Sequence, residues 1–216
     1  MWLYRLITTA APVIGAYWRL SPAGAFDAFP RTGPVLIAAN HSCFLDPWLV
    51  TMVNRRDVHW LTTRQWYDRS PFWRKFFDAQ GVLPVQAEDP QATIDVMCDA
   101  LARGKVVGIF PEGRISYDGR LQRFRPGLSR VAARTGAPVV PVGIRGSFES
   151  LPRTRRFPRP SKITIHYGEP RVFPGAPVAG PPPRAASVAF QQQIFDDILR
   201  LSGRQPAEQG EPSFVA

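Results

Sequence analysis

The chain of 216 residues (24.1 kDa) is long enough for one domain with short appendages, and its 44% apolar and 20% charged residues exclude global disorder. Its two cysteines exclude a disulfide-stabilised scaffold and suit a reducing compartment. Its net charge of +10, carried by 24 Arg and 3 Lys against 17 acidic residues, favours an anionic partner: a membrane surface, a phosphorylated substrate or nucleic acid.

Residues 1–24 are predicted to form an amphipathic segment ahead of the domain. The apolar stretch 6–18 has 13 residues and includes Pro and Gly, whereas a membrane-spanning helix needs about 20 apolar residues. A secretory leader is also disfavoured, because only Arg5 precedes the apolar part and aromatic residues flank it. Aromatic and Arg residues at both ends fit a helix lying in a membrane interface, and equally a helix packed on the domain.

Short apolar runs alternate with helical segments along the remaining chain. The predicted strands cover residues 34–40, 58–63, 81–85, 105–110, 139–144 and 163–167. The predicted helices begin at Asp46 and Asp89, each followed by proline, and cover residues 64–79 (interrupted at Pro71), 127–135 and 185–201. This alternation predicts a single α/β domain over residues 25–201, with a largely parallel central sheet flanked by helices. The six prolines of residues 170–184 predict an irregular linker or surface wrap, and residues 202–216 a mobile tail.

The histidine and aspartate that follow the first predicted strand form the strongest catalytic candidate. His41 leaves the end of the strand and Asp46 caps the next helix, so the chain between them can turn the carboxylate toward the imidazole. A carboxylate on one ring nitrogen fixes the tautomer and raises the basicity of the ring, and the other nitrogen can then take a proton from a hydroxyl. The pair therefore predicts a general base that works without a protein nucleophile.

Three blocks that follow or end predicted strands, where open α/β sheets form their sites, resemble the motifs of one known family. They read Asn40-His41-x4-Asp46, Phe110-Pro111-Glu112-Gly113-Arg114 and Val140-Pro141-Val142. In this order they resemble the glycerolipid acyltransferases, which include the lysophosphatidic acid and glycerol-3-phosphate acyltransferases. The resemblance covers residues 33–145 and implies transfer of an acyl group from acyl-CoA or acyl carrier protein to a glycerolipid hydroxyl.

The resemblance assigns a role to residues in each block. His41 is implied to be the general base, and Asp46 the residue that orients it. The implied substrate-binding residues are Asn40, Glu112, Gly113, Arg114 and Pro141, the last in a block linked to binding of the acyl donor. These roles fit the chemistry, because a thioester is already activated and needs only a deprotonated alcohol and a stabilised oxyanion. Gly113 permits close backbone approach and Arg114 can bind a phosphate bidentately, whereas the alternative for Glu112 is an exposed loop carboxylate.

One block departs from the pattern of that family. The family block reads Gly-x-x-Pro-Val-x-Arg, and here it is Gly81-Val82-Leu83-Pro84-Val85-Gln86-Ala87. The Arg expected to bind the phosphate of the acceptor is thus replaced by Ala87. The residues that can replace it are Arg114, Arg120, Arg123 and Arg125. Otherwise the acceptor is a different lysolipid, such as lyso-ornithine lipid.

Three further features each have a functional and a structural interpretation. Cys43 is a nucleophile or, more commonly, a small buried residue. The aromatic and basic stretch 64–77, in which Trp66, Trp73 and Phe77 share a predicted helix face, is a membrane-dipping element or a core stripe with solvated charges. The run 153–159, with four Arg, binds anionic headgroups or the phosphates of the acyl donor, or it is a solvated loop, the commoner case for a single charge run.

The sequence therefore predicts a peripheral membrane O-acyltransferase on the cytoplasmic side of a bacterial plasma membrane, which converts 1-acyl-sn-glycerol-3-phosphate to phosphatidic acid. The expected partners are membrane lipids and acyl-CoA or acyl carrier protein as co-substrate, with no cofactor, no metal and no nucleic acid. Two other functions stay open. One is a non-catalytic basic binder of anionic lipid or nucleic acid, and the other is a thioesterase that uses the same site with water as the acceptor.

Overall fold

The computed structural model describes residues 15–86 and 88–207, and within them seven strands form one sheet in the order β1-β7-β6-β2-β5-β3-β4. The strands are β1 (Ser21–Gly24), β2 (Val35–Ala39), β3 (Val58–Thr63), β4 (Leu83–Val85), β5 (Val106–Ile109), β6 (Val139–Arg145) and β7 (Thr164–Tyr167). The α-helices are α1 (Asp46–Val53), α2 (Arg64–Tyr67), α3 (Pro71–Gln80), α4 (Pro90–Ala102), α5 (Gly127–Thr135), α6 (Ser147–Ser150) and α7 (Arg184–Ser202). Only β6 and β7 pair antiparallel among these strands. The predicted α/β architecture with a largely parallel sheet is confirmed.

The central strands are covered on both faces, which explains their continuous apolar sequences. All five residues of β2 (Val-Leu-Ile-Ala-Ala) are buried, as is typical of parallel strands packed between two layers of helices. Because side chains alternate along a strand, Leu36 and Ala38 face a core cluster formed with α4, α5 and α7. Val35 and Ile37 face the opposite cluster, which includes residues of α1.

The carboxyl ends of four parallel strands meet at one edge of the sheet, which we call the carboxyl edge. β2, β3, β5 and β6 all end there, so residues 40–46 and 110–114 emerge side by side. Since β7 returns antiparallel to β6, the connecting residues 146–163 turn over at the same edge. β1 runs parallel to β7, and residues 15–20 therefore enter the sheet from this edge as well.

The elements follow the predicted pattern, with a few differences that have physical reasons. β1 was not predicted from the sequence, because this edge strand reads Ser-Pro-Ala-Gly and lacks alternating apolar residues. α1 begins at Asp46 with Leu45 as its cap, so Asp46 is not the helix cap that the sequence suggested. The proline-rich segment is a surface wrap, in which Phe173 is buried and the Val178 N–H donates to Ala133 O.

The described parts of the two terminal segments, residues 15–24 and 202–207, pack on the domain. Residues 1–14 and 208–216, which hold most of the predicted interfacial segment and tail, lie outside the described residues. Trp18 is buried and donates from Nε1 to Ser150 Oγ at 2.8 Å. At the other end, residues 205–207 lie along Leu121, with two backbone hydrogen bonds of 2.9 and 3.0 Å. Among the residues that the structure describes, no helix has the length and apolar character needed to cross a bilayer.

Candidate active site

A histidine and a buried aspartate form a hydrogen bond just beyond the carboxyl end of β2. His41 Nδ1 lies 3.0 Å from Asp46 Oδ2, and the His41 side chain is 15% exposed whereas that of Asp46 is fully buried. The same carboxylate oxygen accepts hydrogen bonds from the backbone N–H groups of Ser42 and Cys43, each at 2.7 Å. The loop after β2 therefore wraps around one oxygen atom, which is anchored because Asp46 is the first residue of α1.

This geometry fixes the tautomer of the imidazole. A carboxylate can only accept hydrogen bonds, so Nδ1 of His41 carries the proton and Nε2 keeps its lone pair. The negative charge of Asp46 stabilises the ring when Nε2 takes up a proton. The structure thus brings together the two residues that the sequence singled out, in an arrangement that can serve a general base.

The imidazole is the last of three stacked rings that come from different parts of the chain. The rings of His41 and Phe110 are 3.8 Å apart at an angle of 13°, and Phe110 stacks on Trp60 of β3 at 4.7 Å and 11°. Trp60 is held in turn by a hydrogen bond of 3.0 Å from its Nε1 to Thr51 Oγ1 in α1. The stack restrains the plane of the imidazole. Sequence reasoning missed both partner rings, and only Phe110, inside a motif block, offered a signal.

Glu112 is buried and binds the backbone of the site. Its Oε1 accepts from the backbone N–H of His41 at 2.7 Å, its Oε2 accepts from that of Gln122 at 2.8 Å, and the residue is 4% exposed. Burial raises the pKa of Glu112 to about 8; the charge of Asp46 adds to the rise, and the two N–H groups oppose it. The structure therefore corrects one of the two expectations for Glu112. It is not an exposed loop carboxylate but a clamp on the His41 backbone, and the substrate contact implied by the resemblance stays a prediction.

Gly113 lies against the side chain of Arg125. Its φ of +71° favours glycine, and a Cβ atom at this position would lie 2.8 Å from both Cδ and Cζ of Arg125. Arg125 thus lies across the bare Cα of Gly113, and its backbone N–H donates to Pro111 O at 2.8 Å. Arg114 points elsewhere and donates from Nη2 to Gln122 Oε1 at 3.0 Å. Close approach at Gly113 was predicted, but among the described residues the group that approaches is Arg125.

The family of the chain follows from a match over more than half of its length. Residues 25–145, which include the His41–Asp46 pair and the Glu112 clamp, match the model of the acyltransferase family. The chain belongs to that family. The resemblance inferred from the motif blocks is thereby confirmed.

Relatives and a solved structure agree with this assignment. The chloroplastic 1-acyl-sn-glycerol-3-phosphate acyltransferase BAT2 of Brassica napus is 29% identical over 150 residues, which are 68% of this chain and 41% of that protein. An uncharacterised protein of Mycobacterium tuberculosis is 30% identical over 190 residues, 77% of this chain and 48% of the relative. The chain thus spans less than half the length of these curated relatives. The crystal structure of PlsC, the 1-acyl-sn-glycerophosphate acyltransferase of Thermotoga maritima, shares its fold: the TM-score is 0.72 at 19% identity, over 94% of this chain and 81% of that one.

Two further motif residues, Asn40 and Pro141, are buried in the sheet. Asn40 is buried, accepts from the Ile144 N–H at 2.7 Å and donates to Ile144 O at 3.2 Å, so its side chain continues the pairing of β2 with β6. Pro141 is buried within β6 opposite Ala38. Both residues help to set the position of the strand end that carries His41, and the substrate contacts implied by the resemblance stay predictions.

Cys43 is a small buried residue of the acyltransferase site. Burial raises the pKa of its thiol to about 12, and the charge of Asp46 adds to the rise. Its Sγ accepts from the Leu45 N–H at 3.3 Å. Because the thiolate is the nucleophilic form, the structure supports the structural interpretation of Cys43.

The aromatic stretch of the acyltransferase is divided between two helices. Trp73, Phe76 and Phe77 of α3 pack on one another with ring centroids 5.5 to 5.6 Å apart. Trp66 lies in α2, is 47% exposed, and stacks against the Arg69 guanidinium at 4.8 Å. The predicted face shared by Trp66, Trp73 and Phe77 is therefore wrong, because the break before Pro71 separates the first ring from the other two.

Proposed function

We propose that this acyltransferase moves a fatty acyl group from acyl-CoA or acyl carrier protein to the free hydroxyl of 1-acyl-sn-glycerol-3-phosphate, which yields phosphatidic acid. The observation that carries the proposal is the 3.0 Å contact between His41 Nδ1 and the buried Asp46 carboxylate at the carboxyl edge. The names of relatives such as the Brassica napus enzyme support this choice of acceptor.

The proposed reaction uses His41 as a general base. Nε2 takes the proton of the acceptor hydroxyl while the hydroxyl oxygen attacks the carbonyl carbon of the thioester. The new C–O bond gives a tetrahedral intermediate, the C–S bond then breaks, and the imidazolium returns the proton to the departing thiolate. Asp46 stabilises the imidazolium, while the stacked Phe110 keeps the ring in its plane. The donor is already activated, so the chain itself contributes orientation and proton transfer.

Arg125 is the residue that we propose for the phosphate of the acceptor, in place of the Arg expected at position 87, which lies outside the described residues. Arg120 is engaged by Asp118, with 3.7 Å between Nε and Oδ2, and Arg114 by Gln122. Arg125 is exposed, and its side chain lies across Gly113. Gly113 belongs to the same motif block as Pro111, two residues before it. A guanidinium there can bind a phosphate monoester bidentately. Arg123 is also exposed but is not held against the motif, which makes it a matched control.

The first experiment measures acyl transfer by the purified protein. Labelled acyl-CoA and acyl carrier protein are offered with 1-acyl-sn-glycerol-3-phosphate, and the lipid products are separated. His41→Ala is expected to abolish diacyl product while circular dichroism and thermal unfolding stay close to those of the parent. Asp46→Asn keeps an oxygen for the N–H groups of Ser42 and Cys43 but loses the charge, so kcat is expected to fall on the order of 10³- to 10⁴-fold. Full activity of the His41→Ala protein would refute the mechanism.

The second experiment tests the acceptor headgroup. Arg125→Gln is expected to raise KM for 1-acyl-sn-glycerol-3-phosphate by about 10- to 100-fold, since a charge-assisted hydrogen bond contributes about 1.5–3 kcal/mol. KM for the acyl donor should stay the same, and Arg123→Gln should change neither. A normal rate with lyso-ornithine lipid, combined with no effect of Arg125→Gln, would replace the phosphate acceptor by that lipid.

Two other outcomes of these assays correspond to the remaining functions. Thioester hydrolysis that needs His41 but is independent of any lysolipid would identify a thioesterase. Retention of lipid or DNA without turnover of either donor would identify a binding protein. Because the proposed acceptor is a membrane lipid and the donors are intracellular, we propose peripheral action at the cytoplasmic face of a plasma membrane.

A further inference from the structure

The loop between β6 and β7 lies at the same edge of the sheet as His41. β6 ends at Arg145, α6 follows, and residues 151–163 cross the carboxyl edge before β7 returns antiparallel. Within this connection, residues 153–159 read Arg-Thr-Arg-Arg-Phe-Pro-Arg. We call these seven residues the basic loop.

The basic loop presents an aromatic ring and unneutralised positive charge to the outside. Phe157 is 79% exposed, and Arg153, Arg156 and Arg159 are exposed as well. The only carboxylate in the connection between β6 and β7 is Glu149, and Arg204 pairs with both of its oxygens at 3.0 and 3.2 Å. Within the described part of the chain no carboxylate pairs with Arg153, Arg156 or Arg159, so their charge is available to an external anion.

The carboxyl end of the basic loop is anchored to the domain by its backbone. Ser150 anchors it twice, since Ser150 O accepts from the Arg159 N–H at 3.0 Å and Ser150 Oγ donates to Arg159 O at 2.8 Å. On the outer side, Tyr17 donates from its hydroxyl to Pro158 O at 3.1 Å. Tyr17 is itself 46% exposed and adds a second aromatic ring beside the loop.

The other aromatic surface, on α2 and α3, has fewer cations outside ion pairs among the described residues, namely Arg69 and Lys75. Asp68 engages Arg74 at 2.6 Å and Arg64 at 3.7 Å, so part of its cationic charge is neutralised. An aromatic ring that projects among unpaired arginines is the composition expected of an element in the headgroup region of an anionic bilayer.

We propose that the basic loop docks this protein on an anionic lipid bilayer, with Phe157 inserted at the interface and Arg153, Arg156 and Arg159 on headgroup phosphates. Docking there turns the carboxyl edge, with His41, toward the membrane. A lipid acceptor then reaches the site without leaving the bilayer interface. The orientation rests on the proposed function insofar as the acceptor is a membrane lipid, but the docking itself does not.

The test is co-sedimentation of the full chain with vesicles of phosphatidylcholine that contain or lack phosphatidylglycerol. A triple variant with Arg153, Arg156 and Arg159 changed to Gln is expected to lower the partition coefficient on phosphatidylglycerol vesicles roughly 100-fold, about fivefold per charge. Phe157→Asp should lower it by about tenfold. Wild-type binding should weaken as salt is raised.

Matched controls use the opposite side of the molecule. Arg31 and Arg103 precede β2 and β5, Arg184 begins α7, and all three are exposed. Their triple change to Gln removes the same charge and should leave more binding than the loop triple variant. Val188 on α7 is 61% exposed and provides the control for Phe157. Val188→Asp should bind the phosphatidylglycerol vesicles as the parent protein does.

The outcomes separate docking from catalysis. His41→Ala should bind vesicles as the parent does, and the loop variants should retain turnover of short-chain acceptors below their micellar concentration. Equal vesicle binding by the loop and control triple variants would overturn the proposal. So would a loop variant that loses acyl-CoA binding but keeps vesicle binding, which would assign the arginines to the donor. Tighter binding to DNA than to phosphatidylglycerol would assign them to nucleic acid.

Discussion

Glu112 is expected to couple the stability of this protein to pH. Its carboxylate is buried and accepts two backbone N–H groups, from His41 and Gln122. Burial raises its pKa from the ordinary 4.5 to about 8, so the folded protein holds a proton on Glu112 at pH values where the unfolded chain has released it. The free energy of unfolding should therefore fall as the pH rises from about 4.5 to about 8, with no further loss from this group above that range.

The size of the effect follows from the shift in pKa. At about 1.4 kcal/mol per unit, the loss across this range amounts to about 5 kcal/mol, an upper estimate that is comparable with the total stability of a small domain. Glu112→Gln removes the titration. The amide oxygen of the variant still accepts one of the two backbone N–H groups, but its NH2 group cannot accept the second. This loss lowers the free energy of unfolding by about 1–3 kcal/mol at every pH. The variant should be less stable than the parent at pH 5 and more stable at pH 8.

The measurement is urea unfolding followed by tryptophan fluorescence at pH 5, 6, 7 and 8 for both proteins. Glu149→Gln is the control, because the Glu149 side chain is 58% exposed and paired at the surface; its difference from the parent should not depend on pH. If the stability difference between Glu112→Gln and the parent is the same at pH 5 and pH 8, Glu112 is ionised in the folded state throughout and the reasoning is refuted.

Three further predictions concern the site. Phe110→Ala removes the ring against His41 and is expected to cost about 3 kcal/mol of stability and to lower kcat more than KM; in steady-state kinetics Phe110→Leu should be intermediate, and unchanged kcat would show that the stack does not orient the base. Gly113→Ala places a methyl group on the Arg125 side chain at a φ that costs about 1 kcal/mol, so KM for the phosphate acceptor should rise as in Arg125→Gln, and an unchanged KM would separate Arg125 from acceptor binding. Cys43 should resist iodoacetamide in the folded protein at pH 8, as mass spectrometry can show, and Cys43→Ala should remain active; loss of turnover in that variant would restore Cys43 as a nucleophile.

The fold was largely predictable because its signals are local. Buried parallel strands are apolar runs, and caps such as Asp89, whose carboxylate accepts from the Ala92 N–H at 2.9 Å, mark helix starts. The error at Asp46 has the same origin. Asp followed by Pro reads as a helix cap in any sequence, and only the folded loop shows that its carboxylate instead binds the chain before the helix.

The site was predictable only in part. The proximity of His41 to Asp46 could be inferred because only the four residues of one turn lie between them. The positions of Asn40 and Glu112 could not, because their hydrogen-bond partners Ile144 and Gln122 are 104 and 10 residues away along the chain. A polar residue in a motif looks the same in sequence whether it faces a substrate or satisfies buried backbone groups.

The sequence by itself determined the α/β class, the family and the candidate catalytic pair, because periodicity and short motifs are properties of neighbouring residues. The tertiary structure alone decided what supports the pair and what surrounds it. The stack of Trp60 and Phe110 on His41 joins three strands that are adjacent only in the sheet. The basic loop shares an edge with His41 for a similar reason: β7 returns antiparallel to β6, and strand direction within a sheet is settled by pairing between distant segments of the chain.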